Sequence, residues 1–228
     1  MEAPALPALP DPASPPADDA RQRLLMTAVR LFGAQGYAST STRQIAAEAS
    51  VNISAIRYYF GDKAGLYRAA YSEPLGDSQE DIARFADPAL TPRQALVAYF
   101  QNWIEPFCHG ELAQQCTQMH LREMLEPTGL WQQQIEGEIG PLHEATVAVL
   151  RRALGVARVD NELHRLAIAL YGLGLQLYAA RDIVEAVRPQ LQVTPRNVDQ
   201  TVQRLADFAE SLIEGERRRR AAASGANA

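Results

Sequence analysis

One short run of side chains carries the clearest chemistry in this chain. Ser54, Ala55, Arg57, Tyr58 and Tyr59 fall on or near one side of a helix whose other side is formed by Ile53, Ile56 and Phe60, at spacings of three and four. Small residues let a backbone come close to a surface. An arginine can bond a guanine edge through two parallel hydrogen bonds, and tyrosine hydroxyls reach phosphate oxygens. A helix so composed suits the major groove of double-stranded DNA. No competing constellation has the same coherence. There is no Gly-rich phosphate loop, no Ser/His/Asp arrangement with a supporting motif and no metalloprotease helix. Cys116 and His120 are four apart, so they share a helix face, with Cys108 and His109 nearby. A packed thiol beside a hydrogen-bonded imidazole accounts for such a pair more simply than a bound ion, so no metal and no cofactor is expected.

The elements around this helix fit the same geometry. Ser41 is placed to cap a preceding helix, with Gln44 completing a capping box, and Ile45, Ala46 and Ala49 give that helix an apolar face. The turn Ala49-Ser50-Val51-Asn52 follows, and Asn52 is a good cap for the next helix. Upstream, a helix from about Asp19 to Gln35 carries Leu24, Leu25, Ala28, Leu31 and Phe32, and Gly36 stops it. A fourth helix starts near Asp62 and continues past Tyr71.

At Thr40 to Thr42, Ile45-Ala46-x-x-Ala49-Ser50-Val51, Ile56-Arg57-Tyr58-Tyr59-Phe60 and Lys63, the chain resembles the DNA-binding domain of TetR-type repressors over about fifty residues. The resemblance implies DNA contacts from Thr40, Thr42, Arg43, Ser54, Ala55, Arg57, Tyr58, Tyr59 and Lys63. Two positions depart from the family pattern. Ser50 stands where the family usually has Gly, so a left-handed turn there carries modest strain. Arg57 stands where Tyr is common, which alters base preference. Arg122-Glu123-Met124-Leu125-Glu126-Pro127-Thr128, then Ile139-Gly140-Pro141, together with Val51 to Ile56, also resemble the CecR (YbiH-like) subgroup. That likeness implies a repressor of genes for drug tolerance or efflux.

Composition is consistent with a basic head on an acidic body. The net charge is −5 over 228 residues, and 47% of the residues are hydrophobic, enough for a core. Residues 18 to 72 hold seven basic and four acidic groups, a net +3, while residues 73 to 228 sum to −6. That asymmetry is an electrostatic footprint for DNA. Two cysteines form no disulfide framework, no signal peptide is read, and no apolar run is long enough for a membrane span. A cytoplasmic location is expected.

The remaining chain reads as helices: about Pro92–His109, Leu112–Leu125, Gly129–Leu154 with a break at Gly140-Pro141, Asn161–Arg181 and Pro195–Arg218. Glu73–Pro92 reads as a Pro- and Gly-punctuated stretch. The fold class is all-α, with a three-helix helix-turn-helix domain followed by a helical effector-binding and dimerisation domain. The expected organisation is a disordered Ala/Pro-rich arm over 1–17, the DNA-binding domain over 18–72, the effector and dimer domain over 73–216, and a disordered Arg-rich tail over 217–228.

Two stripes run along the last long helices. Leu163, Ala167, Leu170, Gly174 and Leu177 are spaced 4, 3, 4, 3, and Val198, Val202, Leu205, Ala209 and Leu212 repeat that spacing. Such a stripe is the seam of near-parallel helices, either inside one subunit or across a two-fold axis. The family resemblance implies the dimer. It also implies a small-molecule effector site between body helices, for which Trp103, Phe107, Met119, His120, Glu123, Trp131, Tyr171, Leu175, Gln176 and Tyr178 are candidates. The function expected is a ligand-responsive repressor that binds a palindromic operator as a dimer. The alternative is a regulator with no small-molecule ligand, controlled by a protein partner or by abundance.

Overall fold

A computed structural model describes residues 17–75, 78–108 and 111–225. Most of the Ala/Pro-rich arm lies outside these residues, as does His109. Among the described residues there are helices and no strand. No described helix is long and apolar enough to cross a membrane. The chain divides into two units, Met1–Glu73 and Pro74–Ala228.

The first unit contains α1 (Ala17–Ser39), α2 (Thr42–Glu48), α3 (Ser54–Phe60) and α4 (Lys63–Ser72). α1 breaks at Gly36, whose φ of 80° is open to glycine without a Cβ penalty. Leu24, Ala28, Phe32, Ile45, Ile56 and Leu66 are all but completely buried and form the centre. Tyr67 meets Phe32 and Tyr37 edge to face. Arg30 pairs with Glu48, tying α1 to α2 and holding the Glu48 carboxyl below its usual range.

A 3-10 turn at Glu73–Leu75 spans the boundary, and the second unit contains α5 (Ser78–Ala86), α6 (Pro92–Cys108), α7 (Glu111–Leu125), α8 (Leu130–Gln134), α9 (Gly140–Leu154), α10 (Asn161–Ala179), α11 (Arg181–Val187) and α12 (Val198–Gly225). Phe85, Leu96, Phe100, Ile104, Leu150, Leu163, Leu170, Leu205 and Ala209 share one core. Arg93 clamps α6 to α12 through Asp207 at 2.7 Å and Glu210 at 2.8 Å.

The structure corrects three segments of the sequence reading. The stretch read as punctuation contains α5, whose Phe85 is buried in the core. The break at Gly140-Pro141 is a π turn over Ile135–Ile139, after which Pro141 sits in the first turn of α9, where its missing N–H costs nothing. The Arg-rich segment is helical to Gly225 rather than disordered. Arg217 pairs with Glu214 and Arg219 with Glu216, while Arg220 bonds both oxygens of Asp160 at 2.8 Å.

Asp160 also caps α10, accepting from the Leu163 N–H at 3.1 Å. The Arg220 bonds come first among the causes that bring its carboxyl down to about 2. Asp160→Ala is expected to cost about 1 kcal/mol, mostly as the lost cap. The half-exposed ion pair adds little to that. The contribution should be complete above the ordinary aspartate value near ~4 and fade as pH falls toward about 2, because the folded state holds the proton less tightly. Urea midpoints of wild type and variant between pH 2 and 6 check this: the gap should close at the acid end.

Candidate nucleic-acid interface

The helix-turn-helix is built by local signals. Ser41 accepts the Gln44 N–H at 3.1 Å, capping α2. The reciprocal half of the capping box does not form, because the Gln44 amide donates to Glu48 at 3.1 Å instead. α2 ends in a Schellman motif, with Val51 N–H donating to Ala46 O at 3.0 Å and Ser50 N–H to Ala47 O at 3.1 Å. Ser50 takes the left-handed position with φ 54°, and it is the one non-glycine residue with positive φ among those described. α9 closes with the same pair of bonds, and there the residue is Gly155. Ser50→Gly is therefore expected to raise stability by up to about 1 kcal/mol, relieved backbone strain exceeding the added freedom of the unfolded chain. The urea midpoint should rise; a fall would mean the Ser50 side chain supports the turn.

Asn52 accepts from both the N–H and the hydroxyl of Ser54, at 2.9 and 2.8 Å, starting α3. Ile56 is buried and Phe60 half-buried, but Ile53 is 45% exposed and does not belong to the inner face. It precedes the first full helical turn, so its direction does not follow the period. Ser54 and Arg57 are exposed, Tyr58 is 81% exposed, and Ala55 and Tyr59 are half-buried. The rings of Tyr58 and Tyr59 pack edge to face at 4.8 Å.

Thr40 is misplaced in the sequence reading. It is buried, and its hydroxyl donates to Gly36 O at 2.8 Å and Leu31 O at 3.3 Å, so its side chain closes the end of α1. Thr42 is half-buried and Arg43 exposed on α2. Lys63 lies with its ammonium 4.3 Å from the centre of the Tyr37 ring, and partial burial lowers its pKa. Arg21, Arg23 and Arg30 pair with Glu73, Asp19 and Glu48. Among the described residues no acid pairs with Arg43, Arg57, Lys63 or Arg68. The unit's excess positive charge therefore sits on α2, α3 and α4.

In the second unit, Trp103, Phe107, Tyr171 and Tyr178 form one aromatic cluster between α6 and α10. Trp103 meets Tyr171 at 5.1 Å, Phe107 stacks on Tyr178 at 4.6 Å, and the Tyr178 hydroxyl donates to Trp103 O. Met119 and Glu123 are buried on α7. Glu123 accepts the Thr128 N–H at 2.7 Å, closing the turn after α7. His120 Nδ1 lies 2.8 Å from Cys116 O, and burial pushes the imidazole pKa down and the Cys116 thiol up to about 11. Leu175 and Trp131 are half-buried and Gln176 exposed. No ring contact joins Trp131 to the aromatic cluster among the described residues.

The paired stripes lie mostly inside the subunit. Leu163, Ala167, Leu170, Val202, Leu205 and Ala209 are core residues, with Leu177 and Val198 packed against them. Gly174 faces the Trp103 indole so closely that a Cβ would stand 2.3 Å from it. Leu212, 40% exposed, is the member of the two stripes that faces outward, and Ile168 and Phe208 join it at 61% and 44%. Sequence period could not separate an internal seam from an external one.

One group of metal-ligating type occurs among the described residues: His143, Glu144 and His164. His143 Nε2 and His164 Nδ1 are 2.8 Å apart, the ring centroids 5.1 Å apart and the planes 16° from parallel. The two nitrogens thus point at each other nearly along the line of centres. That is an in-plane N–H···N hydrogen bond, and the lone pairs do not converge on a common ion.

A short capped helix, a left-handed turn and an exposed basic, aromatic second helix define a helix-turn-helix protein of the DNA-binding class. The chain belongs to the TetR family. Residues 24–70 match "Bacterial regulatory proteins, tetR family" and residues 92–215 match "HTH-type transcriptional dual regulator CecR, C-terminal domain". It is 30% identical over 165 residues to the HTH-type transcriptional dual regulator CecR of Shigella flexneri, covering 68% of this chain and 74% of that protein. The fold is similar to a transcriptional regulator of Pseudomonas aeruginosa PAO1, with TM-score 0.63, 21% identity, and 91% of this chain and 96% of that one covered. A transcriptional regulator from Saccharomonospora viridis in complex with choline gives TM-score 0.62 and 20% identity, covering 85% and 96%. Members of this family are DNA-binding transcriptional regulators rather than enzymes.

Proposed function

We propose that the protein is a ligand-responsive repressor that binds a palindromic operator as a homodimer. The observation that carries this reading is the outer face of α3, where Ser54, Arg57 and Tyr58 stand exposed beside cations that pair with no acid among the described residues. Arg57 is assigned to base readout, Tyr58 and Tyr59 to phosphate or sugar, and Lys63 to phosphate. Two heads in a two-fold dimer would read half-sites about 34 Å apart, or a multiple of that. Selection of bound duplexes from a random pool tests the proposal: an inverted repeat with one fixed spacing is expected, and a pool that stays random would refute it.

Lys63→Ala should weaken binding to every duplex about equally and reduce the salt slope by roughly one unit. Titrations at several salt concentrations, on the selected operator and on an unrelated duplex, measure both. A change in which base is preferred would mean that α3 docks in another register.

For the dimer we assign the outward faces of α10 and α12, through Ile168, Phe208 and Leu212. Gly172 and Gly215 support this assignment. Each lies within a helix with open space over the position a Cβ would take. A mid-helix glycine costs about 1 kcal/mol relative to alanine, and among the described residues nothing inside the subunit requires either one. A facing helix that packs close to the backbone would.

The effector reading rests on the aromatic cluster of Trp103, Phe107, Tyr171 and Tyr178 and on the small molecule held by the Saccharomonospora viridis regulator. A ligand that favours a dimer with the wrong head spacing releases DNA. Couplings of this kind are roughly 1–3 kcal/mol and act equally in both directions.

A further inference from the structure

A cavity of about 320 Å³ lies among α10, α11, the loop that follows and α12. Phe107, Leu205 and Phe208 supply apolar wall, and Arg181, Arg204 and Gln192 supply polar groups. Among the described residues no acidic side chain lines it. Neither arginine is matched by an acid that lines the cavity. Arg204 pairs with Asp207 Oδ2 only at 3.5 Å, while Asp207 Oδ1 is held by Arg93 at 2.7 Å. The Arg204 guanidinium also lies over the Phe208 ring, 4.6 Å from its centre. Arg181 donates to a neutral amide oxygen, Gln114 Oε1, at 2.9 Å. Gln192 Nε2 is buried with no hydrogen-bond partner, a donor left without an acceptor. The cavity thus gathers donors and positive charge against an apolar wall and lacks an anionic acceptor.

We propose that this cavity binds an amphipathic organic acid, with the carboxylate held by Arg181, Arg204 and the Gln192 amide and the apolar body against Phe107, Leu205 and Phe208. The inference rests on the effector-responsive reading above and gives it a ligand class, at a cavity that shares only Phe107 with the aromatic cluster. The volume accommodates about ten water-sized groups, which fits an aryl or medium-chain carboxylic acid. The occupant touches α12 at Leu205 and Phe208, and Phe208 also belongs to the face assigned to the dimer. Binding can therefore act on subunit packing through α12.

The probes are benzoate and octanoate, with benzamide and octanamide as uncharged counterparts, titrated calorimetrically into the full-length protein. At least one carboxylate should bind tenfold or more tightly than its amide and raise the melting temperature. Arg181→Gln and Arg204→Gln should each weaken that carboxylate roughly tenfold and leave the amide unchanged, as loss of a charge-assisted bond requires. Circular dichroism and light scattering confirm that both variants remain folded and keep the wild-type oligomeric state. Equal binding of acids and amides, or binding of neither, overturns the proposal. So does an arginine variant that dissociates the subunits while no probe binds, because a second copy of the chain would then cover the cavity. Operator selection on the same sample separates the two failures. A selected palindrome with no acid binding leaves the regulator reading intact, and the absence of any selected DNA removes that reading whatever binds the cavity.

Discussion

Ile168→Asp together with Leu212→Asp is expected to give a folded monomer that has lost operator binding, whereas Leu170→Lys is expected to leave little folded protein. The two outcomes follow from opposite faces of the same helices. Ile168 and Leu212 are 61% and 40% exposed in the isolated chain, so carboxylates there cost the subunit little. In a dimer built on those faces they would be buried without partners, at several kcal/mol. Leu170 is fully buried within its own subunit, and a lysine in its place must either bury a charge or open the core. That exceeds a large share of the 5–15 kcal/mol stability of an ordinary domain. Sedimentation and far-ultraviolet circular dichroism distinguish the results. A double variant that remains dimeric would eliminate these faces as the interface. One that is monomeric but still binds the full palindrome with wild-type affinity would show that dimerisation is not what places the two heads.

The DNA-binding unit was legible because its signals are short-range. The Ser41 cap, the Ile45/Ala46/Ala49 face, the turn at Ser50 and the glycine stop at Gly36 each lie within a few residues of what they control. The strain expected at Ser50 appears as its positive φ. Thr40 was misassigned for the same reason that it is conspicuous in sequence. A hydroxyl between two helices suits a cap, a phosphate contact or a backbone bond, and only the fold brings Leu31 O and Gly36 O within reach.

The body was harder to read because its decisive contacts cross long sequence distances. Helix α5 is short and flanked by Pro74 and Pro88, so it resembles a linker until Phe85 is seen in the core. The arginine run looks self-repelling in isolation. In three dimensions Glu214, Glu216 and Asp160 pair with Arg217, Arg219 and Arg220, and Asp160 is 60 residues away from Arg220. The 4-3-4-3 stripes located a real seam but not its partner. The true neighbours are α6 and the subunit's own core, as the Trp103–Gly174 contact illustrates. The cavity beside α11 was missed because α11 itself was missed: Arg181 was taken as the end of one helix, and Gln192 fell in a connection.

Arg57→Ala should cost about 1–3 kcal/mol on the selected operator, and nearly all of that loss should disappear on operators altered at one base pair. Arg57 is exposed in the last turn of α3 and pairs with no acid among the described residues. Ser54 and Ala55 precede it with side chains too short to hold the helix away from a groove floor. A guanidinium there can donate to both O6 and N7 of one guanine, and loss of that pair removes discrimination along with affinity. The competing role is a phosphate clamp, which would weaken every sequence to the same degree and lower the salt slope by about one unit, as expected for Lys63. Binding of wild type and variant to operators changed one base pair at a time, at fixed salt, decides between them. Position-dependent losses place Arg57 over a guanine. Uniform losses would move it to the backbone and leave Ser54, Ala55 and Thr42 to read the sequence, with a specificity correspondingly weaker, because none of the three can make a two-bond contact with a base.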